Sequence, residues 1–221
     1  MNKQKQDLGG LMLPGILLFL LGLFFIVPVI GDLGLALQGP VDFASLQPHE
    51  IVDGMYVEAT LDANFGCFAE EYEENEETHK VRTTDLYYVI WTGDEYAEDW
   101  RYMGIKVDDS QMEAMEMMAE ETYNYGCAET PLVYTGKIFK MTPTEYTYFE
   151  EYFLESDFTA EEIEAATIPY CIRTSYTADW IYSTIGAGVF LAVIGIGLFV
   201  IGVKHKRIES ETEETEWSYL G

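Results

Sequence analysis

The chain has 221 residues, with 12 lysine and arginine residues against 39 aspartate and glutamate residues, so its formal net charge is −27 at pH 7. A surface this negative repels phosphate backbones, which excludes nucleic acid as a partner and means that a partner binding by charge must be cationic or a metal ion. The aromatic content of 14% argues against a disordered acidic linker, because disorder combines high charge with low hydrophobicity.

The first predicted element is a membrane-spanning helix over residues 11–31, which follows a short N-terminus, residues 1–10, with Lys3 and Lys5. About 20 apolar residues at 1.5 Å per residue cross a hydrocarbon core of about 30 Å, and residues 11–30 contain no charged side chain. Signal peptides have shorter apolar regions, of about 7–15 residues, and a small-residue cleavage site. The longer run therefore predicts a retained anchor rather than a cleaved signal.

A second membrane-spanning helix is predicted over residues 181–203. This stretch has no charged side chain and is followed at once by Lys204, Lys206 and Arg207. Because an ionised side chain in the middle of a bilayer costs several kcal/mol, a long uncharged stretch with a basic end is typical of a span and its cytoplasmic flank.

The distribution of basic residues predicts the orientation of the two spans. Lysine and arginine lie before the first span and after the second, whereas Asp32 and Asp179 flank the ends that face the middle of the chain. The positive-inside rule then predicts a two-pass protein of the cell membrane with both termini cytoplasmic and residues 32–180 extracytoplasmic. The acidic tail, residues 204–221, is expected to be disordered from residue 208 because it has few apolar residues.

Small residues recur at heptad intervals in both spans. Such residues give a helix one smooth face on which another helix can approach closely, and in a lipid bilayer this packing is a main source of association. The spans are therefore expected to pack together, either within one chain or between copies in a homo-oligomer. The residues predicted to form this face are Gly15, Gly22, Gly188, Ala192, Gly195 and Gly202.

Between the spans, several segments have the period-two alternation or the β-branched and aromatic content of strands. Residues 85–92 form a nearly continuous apolar run, which is typical of a central strand, and they are expected to pair with residues 101–107 in a hairpin. Residues 70–80 are too charged to bury and are predicted to be a loop or hairpin tip. The remaining predicted strands cover residues 55–61, 65–69, 132–140 and 168–173.

Three helices are predicted in the same region, over residues 111–123, 143–155 and 160–166. Thr142, Pro143 and Glu145 form a capping box with proline at the first helical position, and Thr159 begins a similar pattern. Strands followed by alternating strands and helices predict an α+β domain, with a mostly antiparallel sheet of about five strands and helices on one face.

The three cysteines all lie in this domain, where an extracytoplasmic environment permits disulfides. Cys67 and Cys127 are the preferred pair because each follows a glycine at the end of a predicted element, which leaves Cys171 unpaired. The alternative is that all three are reduced and buried.

Two groups of residues carry side chains that can act as metal ligands. Acidic residues 70–77 offer oxygen ligands for Ca²⁺, but the D-x-[DN]-x-[DN]-G frame is missing and a solvated surface is the preferred interpretation. The second group consists of methionines, whose thioethers could bind Cu(I). Methionine also fills irregular cores and contact surfaces, and this is the preferred interpretation for Met112, Met115, Met117 and Met118. No metal or cofactor is therefore predicted.

The residues needed for common catalytic mechanisms are nearly absent from the sequence. It contains only three histidines and has no G-x-S-x-G elbow, no Walker loop and no H-E-x-x-H motif. Neither span contains an ionisable residue, which argues against an ion path through one copy. These observations predict a protein that is not an enzyme.

The segments GMYVEATLDANFGCFAE, DLYYVIWTGDE and TGKIFKM, together with the two-span layout, resemble small uncharacterised membrane proteins of Gram-positive bacteria with an acidic outer domain. The similarity covers mainly residues 54–140. It implies a bacterial cell-surface protein and brings with it no activity and no functional residue.

Three functional hypotheses follow. The first is a non-enzymatic membrane protein that is held in the lipid bilayer by its spans and binds a protein or envelope ligand through its outer domain. The second is a sensor of a cation or small ligand that uses the acidic outer domain. The third is a membrane-tethered hydrolase, which requires a pocket with converging polar groups.

Overall fold

The computed structural model describes residues 8–76, 78–92, 101–175 and 177–219, and within these ranges it describes the side chains of residues 10–208. The chain divides into two compact units. Met1–Gly34 and Asp179–Gly221 make up one, which we call the helical unit. Leu35–Ala178 make up the other, which we call the sheet domain.

The helical unit is built from two long helices, α1 (Met12–Gln38) and α5 (Ala178–Tyr219). Both are long and apolar enough to cross a membrane, with mean hydropathies of 2.7 over an 18-residue stretch of Met12–Gln38 and 2.5 over an 18-residue stretch of Ala178–Ile208. The two helices run antiparallel, because Gly15 lies beside Gly195 while Gly22 lies beside Gly188. The N-terminal end of α1 is therefore next to the end of the apolar part of α5.

The prediction that the acidic tail is disordered is wrong for its described part, since α5 continues to Tyr219. Residues 204–219 contain no glycine or proline and include five glutamates, which are good helix formers. Adding residues to a helix that already exists avoids the cost of nucleation. The apolar helix therefore extends into the charged segment.

The described residues of the sheet domain form a seven-stranded mixed sheet with strand order β1-β2-β6-β7-β5-β4-β3. Four of its six strand pairings are antiparallel, while β1 with β2 and β5 with β7 are parallel. The strands are β1 (Val41–Asp42), β2 (Tyr56–Leu61), β3 (Cys67–Glu74), β4 (Val81–Trp91), β5 (Tyr102–Asp108), β6 (Leu132–Lys140) and β7 (Thr167–Arg173).

Strand β3 extends to Glu74, so the first half of the acidic segment that we expected to be a loop or hairpin tip, residues 70–80, is a strand, while its described residues after Glu74 form the connection to β4. Its residues pair with β4 from Cys67 opposite Tyr88 to Glu74 opposite Val81. Since β3 is the last strand in the sheet order and its second half is exposed, its glutamates remain in water. A charged edge strand also opposes pairing with other sheets.

Helices cover both faces of this sheet, so the expectation of helices on one face is wrong. On one face, Met115 and Met118 of α2 (Met112–Tyr125) pack in a core with Tyr88. On the other, α3 (Pro143–Glu155) and α4 (Ala160–Ala166) pack against Tyr87 and its neighbours. Strand β4 is accordingly buried on both sides, which explains its continuous apolar run.

The capping box predicted at the start of α3 is confirmed. The Thr142 hydroxyl accepts a hydrogen bond from the Glu145 N–H, and the Glu145 carboxylate accepts one from the Thr142 N–H at 2.7 Å. The same reciprocal pair forms between Thr159 and Glu162 at the start of α4. This cap fixes the first turn of α3 and with it the position of the Glu145 carboxylate.

Candidate functional site

A cavity of about 390 Å³ opens in the sheet domain between β3 and the first two turns of α3. We call it the β3–α3 cleft. Its volume lies in the range of small-molecule sites in proteins. The residues that line it are Ala69, Glu70, Glu71, Tyr87, Thr142, Thr144, Glu145, Tyr148 and Arg173.

The sheet register brings the charged residues of the cleft together. Lys106 on β5 lies opposite Tyr87 on β4 and opposite Arg173 on β7, so these three side chains form a row across one face. Glu71 on β3 lies opposite Asp85, two residues before Tyr87 on the same face. The alternation of strand side chains therefore aims this group toward α3.

Tyr87 lies at the inner end of the cleft, where it is only 2% exposed. Its hydroxyl oxygen lies 2.5 Å from Oε1 of Glu71 and 3.1 Å from Oε1 of Glu145. Since a tyrosine has a single proton to donate, one of these carboxylates receives it at any moment. Burial, together with the two carboxylates, raises the pKa of Tyr87 well above its usual value, so the hydroxyl remains a donor at all physiological pH values.

Glu145 is held by three donors. Besides Tyr87 and the Thr142 N–H of the capping box, Arg173 donates to both of its oxygens at 2.9 Å and 3.3 Å. The Arg173 guanidinium also lies 4.9 Å from the centre of the Phe139 ring. Among the described residues its Nε is buried without a hydrogen-bond partner.

Glu71 is the more accessible carboxylate, with a side chain that is 49% exposed. Lys106 donates to Glu71 at 2.8 Å and also forms an ion pair with Asp85 at 3.3 Å. Partial burial tends to raise the pKa of Glu71, but the hydrogen bonds from Lys106 and Tyr87 and the charge of Lys106 outweigh it and lower that pKa. Glu71 is therefore an ionised acceptor at neutral pH.

A model of a family described as a domain of unknown function, DUF8577, matches residues 4–203 of the chain. The chain belongs to the DUF8577 family. The matched residues include α1, the sheet domain and the apolar part of α5. No curated protein and no solved structure matches the chain.

The cleft of this DUF8577 member is not among the features predicted from its sequence. The residues that line it lie on three strands and on α3 with its N-cap, and their proximity depends on a strand register that no single stretch of sequence indicates. One signal was present in the sequence. Residues 35–178 contain only seven lysines and arginines against 31 acidic residues, and Lys106 and Arg173 both lie within apolar strands. A lysine or arginine inside a strand of such an acidic domain indicates that its side chain pairs with carboxylates of the same domain.

The predicted disulfide is not formed in the structure, where Cys67, Cys127 and Cys171 are all free thiols. Cys67 packs against the core and donates to the Ala69 carbonyl, whereas Cys127 is exposed after α2. The two side chains thus have different environments, one against the core and one in solvent. Cys171 is fully buried on the side of the sheet that faces α3.

The groups considered as metal ligands do not converge. Across the described residues, no group of three or more His, Cys, Asp or Glu side chains is arranged to hold a metal ion. Met115 and Met118 are buried in the core, while Met112 and Met117 are exposed, so the four thioethers do not share one face.

The glycines singled out in the apolar helices lie where α1 and α5 meet. A β-carbon on Gly22 would lie 2.5 Å from the Gly188 carbonyl oxygen and 2.8 Å from the Ala192 nitrogen. One on Gly202 would lie 2.7 Å from a side-chain carbon of Met12. Within this one chain, the small residues therefore allow the two helix backbones to touch.

Proposed function

We propose that this protein is a membrane-anchored binding protein. In this proposal α1 and α5 cross the cell membrane with both termini cytoplasmic, and the sheet domain lies outside and binds a protein or envelope ligand in the β3–α3 cleft. The observation that carries the proposal is the cleft itself, which combines an open volume of about 390 Å³ with a fixed set of converging polar groups.

The membrane layout is supported by features of the helical unit. Both helices are long and apolar enough to span, and the basic residues Lys204, Lys206 and Arg207 follow the apolar part of α5 directly. Met12 lies beside Gly202, so the N-terminal end of α1 is next to the end of the apolar part of α5. In the sequence, Lys3 and Lys5 precede Met12 and Lys204 follows shortly after Gly202. Basic residues at one common end favour a cytoplasmic location for that end.

The electrostatics of the cleft favour binding over hydrolysis. A general acid at neutral pH needs a carboxyl group with a raised pKa, and the pKa of Glu71 is lowered. The Glu145 carboxylate is already held by Arg173 and the Thr142 N–H. Carboxylates that are ionised and fixed are good hydrogen-bond acceptors, and this supports recognition of a ligand.

The native cysteines provide a test of the topology. A membrane-impermeant maleimide added to intact cells is expected to label Cys127, because this thiol is exposed. The variant C127S should lose this fast label, and in a C67S/C127S background the variant K206C should be labelled only after the cells are permeabilised. Labelling of K206C in intact cells, or of Cys127 only after permeabilisation, would refute the proposed orientation.

Binding at the cleft is tested by site-specific photocrosslinking in intact cells. A photoreactive phenylalanine analogue replaces Tyr148, which lines the cleft and is 50% exposed, or Tyr123, which is 91% exposed on α2. We expect an adduct from position 148 that the additional substitution E71Q removes, and none from position 123. The same adduct from both positions, or no adduct from position 148, would show that the cleft is not the binding site.

A further inference from the structure

We infer that the β3–α3 cleft recognises its ligand through a primary ammonium group seated between the Glu71 carboxylate and the Tyr148 ring. The inference rests on the proposed function and names the chemistry of the ligand. Such a group is carried either by a free small amine or by a lysine side chain of a protein partner, and the experiment below separates these sources.

The charge of the cleft favours a cation. Four carboxylates, those of Glu70, Glu71, Asp85 and Glu145, line or support it, against the two cations Lys106 and Arg173. The group therefore has a net charge of −2, within a sheet domain whose seven basic and 31 acidic residues give a net charge of −24. A ligand with an ammonium group reduces this excess, whereas a neutral ligand leaves it uncompensated.

An anionic ligand is disfavoured for a further reason. The N-terminus of α3 would attract an anion, but the carboxylate of Glu145 already occupies it through the hydrogen bond from the Thr142 N–H. The nearest guanidinium, that of Arg173, donates to the same carboxylate. The protein thus supplies its own anion to the cationic groups of the cleft.

Glu71 has the acceptor capacity that an ammonium needs. A carboxylate offers about four lone-pair positions. The Tyr87 hydroxyl uses one on Oε1 and the Lys106 ammonium uses one on Oε2, so about two remain on a side chain that is half exposed. Lys106 and Tyr87 fix the carboxylate in place before a ligand arrives, which reduces the entropy that binding must overcome.

The shape of the cleft favours an organic cation over a metal ion. A bare ion would leave most of a cavity of about 390 Å³ filled with water, and the described residues include no group of metal-ligating side chains. Tyr148, which lines the cleft and is half exposed, provides an aromatic face of the kind that attracts an ammonium and packs against its alkyl stem.

Calorimetric titration of the full chain in detergent micelles tests this inference. The probes are N-acetyl-lysine methylamide, its Nε-acetylated counterpart, which has nearly the same shape but no charge, 1,5-diaminopentane, and the peptide acetyl-GGKGG-amide. We expect saturable binding of the charged lysine probe and at least about tenfold weaker binding of the acetylated probe, since it lacks the charge-assisted hydrogen bond. Tighter binding of the peptide than of the diamine identifies a protein source, and the reverse order identifies a free amine.

Two variants and one control locate the binding site. E71Q should weaken binding of the charged probe by at least about tenfold. Y148A, which leaves the hydrogen-bonded network intact, should weaken it by about threefold. The control E73Q removes the same charge from an exposed position on the same strand and should bind as the wild type does. Near-UV circular dichroism verifies that each variant is folded.

Three results would overturn the inference. The acetylated probe could bind as tightly as the charged lysine probe, E73Q and E71Q could lose the same affinity for the charged probe, or no amine could show saturable binding at millimolar concentration. These results are distinct from failure of the proposed function. If the crosslink at position 148 forms while no amine binds, the cleft is a binding site for another chemistry. If amines bind and Cys127 is labelled only after permeabilisation, the inferred ligand class is supported while the proposed membrane orientation is refuted.

Discussion

Gly15 and Gly195 contact each other backbone to backbone where α1 and α5 cross. A β-carbon built on Gly15 would lie 2.7 Å from the Gly195 carbonyl oxygen, and one built on Gly195 would lie 2.6 Å from the Gly15 carbonyl oxygen. Because both obstacles are backbone atoms, no change of rotamer can remove them. Any larger residue at either position must move one helix away from the other.

The first prediction is therefore that G195A weakens the pairing of the two helices. In a bilayer or micelle, close packing is a main source of helix association, and the added methyl group would force the backbones apart. We expect a loss of about 1–3 kcal/mol in the free energy of unfolding. The measurement is unfolding of the full chain in mixed micelles with increasing sodium dodecyl sulfate, followed by circular dichroism.

Gly197 provides the matched control on the same helix. Apart from its chain neighbours and the nearby backbone of its own helix, no described atom lies within 4 Å of a β-carbon built there, so G197A introduces no steric conflict. Alanine favours a helix over glycine by about 1 kcal/mol, and G197A should therefore be neutral or stabilising. A similar destabilisation by both substitutions would mean that the glycines affect helix propensity and not the crossing of α1 with α5.

The second prediction concerns Glu145, which serves both the cap of α3 and the pair with Arg173. T142A removes only the cap and should cost about 1 kcal/mol. E145A keeps the hydrogen bond from the residue 145 N–H to the Thr142 hydroxyl but removes the carboxylate half of the capping box. It also leaves Arg173 without its carboxylate, in a site where the two side chains are only 26% and 15% exposed. Because an unpaired, partly buried charge adds a desolvation penalty, E145A should cost about 2–3 kcal/mol.

Urea unfolding of the full chain in micelles, followed by near-UV circular dichroism, measures these differences. E151A is the control, because it removes a carboxylate from an exposed position of the same helix. It should change the free energy of unfolding by less than about 0.5 kcal/mol. Equal effects of T142A and E145A would show that the ion pair with Arg173 contributes nothing beyond the cap.

Elements with strong local signals were predicted from the sequence alone. Strand β6 has the predicted bounds, Leu132–Lys140, because alternation and flanking turn residues define it locally. Helix α3 has the predicted start because Thr142, Pro143 and Glu145 lie within one turn and make their hydrogen bonds to each other. Such signals need no information from the rest of the chain.

Features that depend on distant residues were not predicted. Strand β7 is inserted between β5 and β6, and this position determines that Arg173 lies beside Lys106. The acidic half of β3 is a strand only because it lies at an edge of the sheet, where its side chains stay exposed. The cleft combines both features, which explains why no single stretch of sequence indicated it.

The third prediction is a pH dependence that comes from Glu71. The pKa of this carboxyl in the folded protein lies below its ordinary value of 4.5. Its ionised form therefore stabilises the fold fully at pH values above 4.5, and the stabilisation is lost as the pH falls through the folded pKa. Since the side chain is half exposed, solvent screening limits the effect to no more than about 1 kcal/mol.

The difference in free energy of unfolding between the wild type and E71Q isolates this contribution. It should be largest at neutral pH and should disappear in acid, because protonated Glu71 resembles glutamine in charge. The same comparison with E73Q, at the exposed position on β3, should show a smaller difference at neutral pH. A wild-type advantage over E71Q that grows as the pH falls would contradict the expected sign.

The fourth prediction is an order of reactivity for the three thiols. The thiolate is the nucleophile, and burial raises the pKa of both Cys67 and Cys171. Cys171 is also fully inaccessible, whereas Cys127 is exposed. Labelling of the folded chain with a maleimide, followed by peptide mass spectrometry, should therefore modify Cys127 first, Cys67 more slowly, and Cys171 only after unfolding in urea.

The same experiment tests the free state of the cysteines. If all three are thiols, a peptide map without reductant contains no Cys67–Cys127 link, and C127S unfolds at the same urea concentration as the wild type. A linked peptide would show that Cys67 can leave its position against the core, because in the structure it packs there while Cys127 is exposed to solvent. Since Cys67 begins β3 and Ala69 follows two residues later in the wall of the cleft, such a bridge would also constrain the strand that carries Glu71. Reduction should then change the affinity of the charged lysine probe, whereas with free thiols it should leave that affinity unchanged.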